Sequence, residues 1–492
     1  MLKRKAYQKL VEWKNTHRNN CLMVKGARQV GKTYLIREFG KKEYKSFVEI
    51  NFIKNQELKQ IFAGTLDAES VYKRMTAMIN GVNLVKGDTL IFLDEIQACG
   101  SARTALKFLA EDGRFDVITS GSLLGLTYGE DADENTEEPE SVPTGYETFL
   151  TMYSLDFEEF LWAEGYESGI SYLKELFDKK EKVPFALNEK YETLFREYMV
   201  VGGMPEVVAD YAINHDFTRV AALQEKILEN YRFDISKHAK GAEKIKVRKC
   251  YDAIPKQLAK EITKFQYSTV EKGQTSKKYG GSVQWLKDSN IVNPCYNIHE
   301  PYLPLMANAE EDQFKLYIND TGLLCAMYGF ETKRAILENT IKGNAKGGIY
   351  ENIIAETLVK NGYALYYYKP DDSNELEFLI EKNGEVVPVE VKAGNTATKS
   401  LNRFIEAYKP SAAYKIVDGN VGTSDVKLTI PHYMAMFLKK RLYYRQYRDW
   451  LKIQKKYGKT AQKSIAYSRA IIYIPKTGDF RLQTVMLSIG RF

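Results

Sequence analysis

Eight consecutive residues, Gly26-Ala27-Arg28-Gln29-Val30-Gly31-Lys32-Thr33, have the types and spacing to wrap a polyphosphate. They fit the pattern Gly-x-x-x-x-Gly-Lys-[Ser/Thr] without departure. The glycines let the backbone N–H groups of Gly26 to Gly31 curl around phosphate oxygens at the positive end of a helix. Lys32 is placed to reach the β- and γ-phosphates, and the Thr33 hydroxyl to ligate Mg²⁺. The context agrees. The apolar run Cys21-Leu22-Met23-Val24 reads as a buried strand before the loop, and Tyr34 to Phe39 as the helix after it. ATP and Mg²⁺ are therefore the expected ligands.

A second constellation is Thr89-Leu90-Ile91-Phe92-Leu93-Asp94-Glu95-Ile96-Gln97. Four apolar residues ending in Asp-Glu form a Walker B element. A parallel strand would bring the two acids to its C-terminal edge, beside the phosphate loop. Asp94 is then expected to hold Mg²⁺ and Glu95 to orient and deprotonate the attacking water. The strand Phe115 to Thr119 ends in Ser120-Gly121-Ser122, and Ser120 or Ser122 fits a sensor of the γ-phosphate. An ordinary strand exit fits that stretch as well.

The third constellation lies near the C-terminus. Gly348 to Lys360 reads as a helix bearing Glu351; Leu365 to Tyr368, Glu375 to Ile380 and Val386 to Lys392 read as strands. Strand alternation puts Glu390 and Lys392 on one face. A helix, then strands carrying an acid and Glu-x-Lys, resembles the PD-(D/E)xK nuclease core. That resemblance implies that Glu377 and Glu390 hold Mg²⁺, that Lys392 positions water and that Glu351 approaches from the helix. Glu377 departs from the Asp more usual there. Such a fold without cleavage, and a plain charged strand face, are the alternatives.

The elements needed to position these groups imply several domains, because 492 residues exceed one core. The expected organisation is an α/β multidomain chain. Residues 1–160 form a P-loop ATPase parallel sheet, 161–240 a helical lid and 241–310 a winged helix. Residues 311–438 form a restriction-endonuclease-like α/β domain, and 439–492 a basic aromatic tail. The winged helix is read from a helix starting near Pro255 and running to about Thr263, a second over Gly281 to Ser289, and a wing from Ile291. Its second helix could enter a DNA groove or only connect domains. Five scattered cysteines and no apolar run long enough for a membrane span point to a cytoplasmic protein. The tail from Lys439 to Arg491 carries +12 and residues 1–438 sum to −5. A basic surface for DNA or RNA is thus expected only locally. A protein partner and a homo-oligomer are the other expected associations.

The order of motifs resembles the AAA-type ATPases. More narrowly, it is similar to a prokaryotic family of them with an uncharacterised C-terminal domain. The stretches Tyr153 to Leu161, Tyr198 to Glu206, Tyr231 to Lys237, Phe314 to Leu323 and Gly348 to Asn352 carry that narrower likeness. The resemblance implies ATP hydrolysis coupled to conformational change. One departure matters. From Phe115 to Leu173 there is no Lys or Arg, and Glu130 to Glu140 is strongly acidic. An arginine finger is missing where such ATPases usually supply one; Arg103, Arg114, a later arginine such as Arg232, or a partner is left to provide it.

Overall fold

The computed structural model describes residues 2–16, 20–121, 145–238, 243–261, 263–371, 374–394 and 398–440. Ser122, the acidic run Glu130 to Glu140 and the tail beyond Lys440 lie outside these residues. The first sheet is built from β1 (Cys21–Lys25), β2 (Ser46–Asn51), β3 (Thr89–Asp94), β4 (Asp116–Ser120) and β5 (Glu147–Thr151). All pairings are parallel, in the order β2-β3-β4-β1-β5. β3 is buried along its whole length, as a strand covered on both faces must be. Alternate side chains serve opposite cores. Leu22 and Val24 pack with Leu35, Ile36 and Phe39 of the helix Lys32–Glu43. Cys21 and Met23 pack with Ala102, Leu106 and Leu109 of the helix Gly100–Asp112.

Five helices follow, from Phe157–Ala163 to Phe217–His238. Asp156 starts the first with a capping box: its side chain accepts from the Glu159 N–H while Glu159 accepts from the Asp156 N–H. The region expected to be a winged helix is built differently from its sequence reading. The helix runs over Glu243–Leu258 with Pro255 inside it, instead of starting near Pro255. Val247, Cys250, Tyr251, Ile254 and Leu258 recur at helical spacing and are buried. That apolar stripe outweighs the one backbone hydrogen bond that the proline forfeits. The second helix is Ser276–Asp288.

The expected wing is the hairpin β6 (Val292–Ile298) and β7 (Ala309–Ile318), and it belongs to a larger sheet. With β8 (Leu365–Asp371), β9 (Asn374–Lys382), β10 (Glu385–Val391), β11 (Ala413–Val417), β12 (Gly422–Ser424) and β13 (Lys427–Pro431), it forms eight strands in the order β12-β13-β11-β10-β9-β8-β6-β7. The expected boundary at residues 310 and 311 therefore falls within a strand. β8, β9 and β10 are antiparallel neighbours, and β11 runs parallel to β10. The helix Gly343–Lys360 precedes them, and Lys399–Tyr408 connects β10 to β11. Among the described residues, no helix is long and apolar enough to cross a membrane.

Candidate nucleotide site and a second acidic cleft

The phosphate loop leaves β1 and enters its helix at Lys32. Gly26 has φ 148°, and a Cβ there would sit 2.1 Å from the Met152 carbonyl oxygen. Gly31 caps the helix at φ 90°. Lys32 is folded onto its own loop: Nζ donates to the Gly26 and Ala27 carbonyls, both at 2.9 Å. Burial pushes its pKa down to about 8, against the opposing pull of Glu95 and Asp94.

Asp94, at the end of β3, is the hub. It accepts from Ser120 at the end of β4 and from Asn51 Nδ2 at 2.9 Å. Both its oxygens lie 3.4 Å from Thr33 Oγ1. The sheet order makes this convergence, since β2, β3 and β4 end side by side and Asn51 is the register partner of Asp94. One buried carboxylate and a hydroxyl are the hard oxygen donors Mg²⁺ takes while keeping several waters. Glu95 follows at φ 56°, a left-handed conformation costing about 1–3 kcal/mol. Its Oε2 accepts from Gln97 Nε2 at 2.6 Å.

Two residues of this group had no assigned role in the sequence reading. Asn51 ends β2 as a polar residue, which beside the Asp-Glu of β3 is a signal. Gln97 stood inside the Walker B stretch.

Neighbouring elements grip the loop. Arg28 pairs with Asp234, and the Tyr231 hydroxyl donates to the Arg28 carbonyl at 3.1 Å. The buried Arg4 guanidinium donates to the Val30 carbonyl at 3.1 Å and to the Tyr153 carbonyl at 2.7 Å. The segment after β5 also meets the C-terminal half. Lys360 Nζ donates to Ser154 Oγ at 2.9 Å and to the Leu155 carbonyl at 2.8 Å. The Tyr198 hydroxyl joins the Leu155 carbonyl to Glu356, and Glu356 accepts from Thr321. Of the finger candidates, Arg114 is held by Asp112 and Glu69, and Arg232 pairs with Asp252 at 3.1 Å.

The second cleft does bring Glu377, Glu390 and Lys392 together. Lys392 Nζ lies 2.6 Å from Glu377 Oε1 and 2.9 Å from Glu390 Oε1. Burial and the neighbouring Glu390 raise the pKa of Glu377. Burial likewise raises that of Glu390, and Glu351 adds to both. Two carboxyls around one ammonium thus favour holding a proton between them. Glu351 is bound elsewhere in the cleft, by Lys315 Nζ at 3.3 Å and the Tyr317 hydroxyl at 3.1 Å. Lys315 is itself fully buried and also pairs with Glu375. The charge expected to hold Mg²⁺ is thus met by lysines. Among the described residues, no group of three or more His, Cys, Asp and Glu is arranged to hold a metal ion.

Residues 18–161 match the family described as AAA domain. Residues 192–334 and 346–433 each match a domain of unknown function. Among curated proteins, uncharacterized proteins of Mycobacterium tuberculosis and Mycobacterium bovis are 29% identical over 107 residues, or 22% of this chain. The alignment spans 23% of the length of those relatives. Among solved structures, a Walker-type ATPase of Pyrococcus abyssi aligns at 15% identity and TM-score 0.39, over 67% of this chain and 96% of that one. AMPPCP-bound DnaA from Aquifex aeolicus aligns at 12% identity and TM-score 0.27, over 58% of this chain and 88% of that one.

Proposed function

We propose that the protein binds ATP with Mg²⁺ at the phosphate loop, hydrolyses it, and passes the change in nucleotide state to its C-terminal α/β region. The observation that carries the hydrolytic reading is the convergence of Thr33, Asn51 and Ser120 on Asp94 at the end of β3. Thr33 and Asp94 would hold Mg²⁺, which supplies charge neutralisation on the phosphates when bound. Lys32 leaves two loop carbonyls to meet the phosphate oxygens. Glu95 takes a proton from the attacking water. Ser120 keeps Asp94 oriented, and Ser122 stays a candidate sensor.

Two variants test this reading. Lys32→Ala should lose about 2–3 kcal/mol of ATP affinity, the worth of a charge-assisted contact, in a fluorescent-nucleotide titration. Undiminished affinity would sink the phosphate-loop assignment. Glu95→Gln should bind ATP normally while turnover falls about 10²–10⁴-fold. Equal turnover would move the base to another residue.

Support for the coupled step comes from the segment Met152 to Leu155. It abuts Gly26, receives Arg4, and accepts from Tyr198 of the helical region and from Lys360 of the C-terminal half. A loop that reshapes around phosphate therefore pushes on a joint shared by both halves. The controlled object could be a protein partner, with the C-terminal region as its binding surface.

A second reading, a nuclease, is favoured by one observation: helix, three antiparallel strands, helix and parallel strand bring Glu377, Glu390 and Lys392 together. Mg²⁺-dependent cleavage of DNA or RNA that Glu390→Ala and Lys392→Ala both abolish would support it. No cleavage of either polymer leaves the region as a partner-binding domain.

A further inference from the structure

Glu95 does not stand alone at the end of β3. Gln97 donates from Nε2 to its Oε2 at 2.6 Å across the turn Ile96–Ala98. The other end of that amide, Oε1, is buried without a hydrogen-bond partner among the described residues. It rests against Gly121, the residue after Ser120, where a Cβ would stand 2.4 Å from Gln97 Oε1. A side chain at 121 would thus require the amide to shift. An orphaned buried carbonyl costs about 1–3 kcal/mol. The left-handed backbone of Glu95 adds a second local cost. Two such costs side by side are the mark of a functional arrangement, since packing alone would remove either one.

We infer that Gln97 is a positioning residue for Glu95: its amide aims the carboxylate and seats against the exit of β4 in the room left by Gly121. Gln97 acts on the reaction only through Glu95. The charged groups around this corner are Lys32, which feels Glu95, Arg28 and Asp94, and Asp94 itself at the end of the same strand. Gln97 brings a donor without a charge. It can fix the carboxylate without neutralising its charge, which an ammonium in that place would do. In the step served, a water oxygen forms a bond to the γ-phosphorus, the bond to the β,γ-bridging oxygen breaks, and the water proton passes to Glu95.

The inference rests on the ATPase reading, and the experiment separates the two. Turnover of ATP is followed against pH for wild type, Gln97→Leu and Gln97→Glu, with ATP affinity and melting temperature measured alongside. Gln97→Leu should lower kcat about 10–100-fold, the loss of one hydrogen bond to a charged group, with affinity unchanged. Gln97→Glu sets a second carboxylate beside Glu95, which favours its protonated form. The acidic limb of its pH–rate profile should move up by about one unit or more. A residue that merely filled space would shift melting and leave that limb in place. Wild-type kcat in Gln97→Leu, or a wild-type pH limb in Gln97→Glu, overturns the assignment. Should Gln97→Leu melt early, the pH limb of Gln97→Glu decides. If wild type turns over ATP and Glu95→Gln does not, normal Gln97 variants sink this inference alone. No turnover by wild type overturns both readings.

Discussion

The two acidic clefts of this chain hold their negative charge in opposite ways. At the end of β3, Asp94 is surrounded by neutral donors: the Thr33 and Ser120 hydroxyls and the Asn51 amide. The nearby Lys32 is turned onto loop carbonyls. In the C-terminal cleft, Lys392 bridges Glu377 and Glu390, and Lys315 bridges Glu351 and Glu375. Neutral donors orient a carboxylate and leave its charge for an incoming cation. Lysines cancel that charge, so a metal in the second cleft must first displace an ammonium. The difference separates a carboxylate held by neutral donors from carboxylates held by their own ion pairs.

Removing a lysine from each cleft gives the largest expected contrast. Lys315 is fully buried between two carboxylates. Burial alone would lower its pKa, but Glu351 and Glu375 outweigh it and hold it charged. Lys315→Met leaves Glu351 without its cation and Glu375 with only Lys369 at 3.7 Å, and should cost about 3–5 kcal/mol of stability. Lys32→Ala removes an ammonium that donates to the Gly26 and Ala27 carbonyls, and its loss should fall on ATP affinity. Denaturant melts of both variants check this. A Lys315→Met protein as stable as wild type would break the comparison.

A smaller effect concerns protons. The pKa of Glu377 rises from about 4.5 to about 8, through burial first and Glu390 second. A folded-state pKa above the unfolded one means that this group stabilises the fold fully below about pH 4.5. That contribution is lost as pH rises through about 8. Glu377→Gln keeps the shape and removes the titration. Wild type should therefore lose melting temperature relative to Glu377→Gln between pH 5 and pH 8.5. Parallel curves would mean that Lys392 keeps both carboxylates ionised throughout.

How far the sequence foretold these clefts follows from how local each one is. Gly26 to Thr33 is a single turn of chain whose chemistry is contiguous, and Asp94-Glu95 ends an unbroken apolar strand, so both were legible. Asn51 joins Asp94 only through the register of β2 on β3, and Ser120 only because β4 lies next to β3. Strand order is set by long-range packing and carries little local signal. Glu377, Glu390 and Lys392 could be placed by strand alternation. Lys315, although inside the expected 311–438 domain, could not, because it reaches the cluster only through the pairing of β7 with β6 and of β6 with β8. The start of the helix at Glu243 was missed because Pro255 read as a beginning, although the apolar stripe ran through it.

The smallest effect tests whether the grip on the phosphate loop belongs with the closed ion pairs or the open site. Arg28 is more than a third exposed in its pairing with Asp234, and such a pair is worth about 0.2–1 kcal/mol. Tyr231 adds a hydrogen bond to the Arg28 backbone that survives removal of the acid. Asp234→Ala should therefore melt within about 1 kcal/mol of wild type, with ATP affinity changed less than about fivefold. Titrating labelled ATP at two salt concentrations checks this. An affinity gain that disappears at high salt would show that Asp234 competes with phosphate for Arg28. A loss of several kcal/mol would put this pair with Lys315 and Lys392, and the loop would then be held by the kind of buried charge that marks the second cleft.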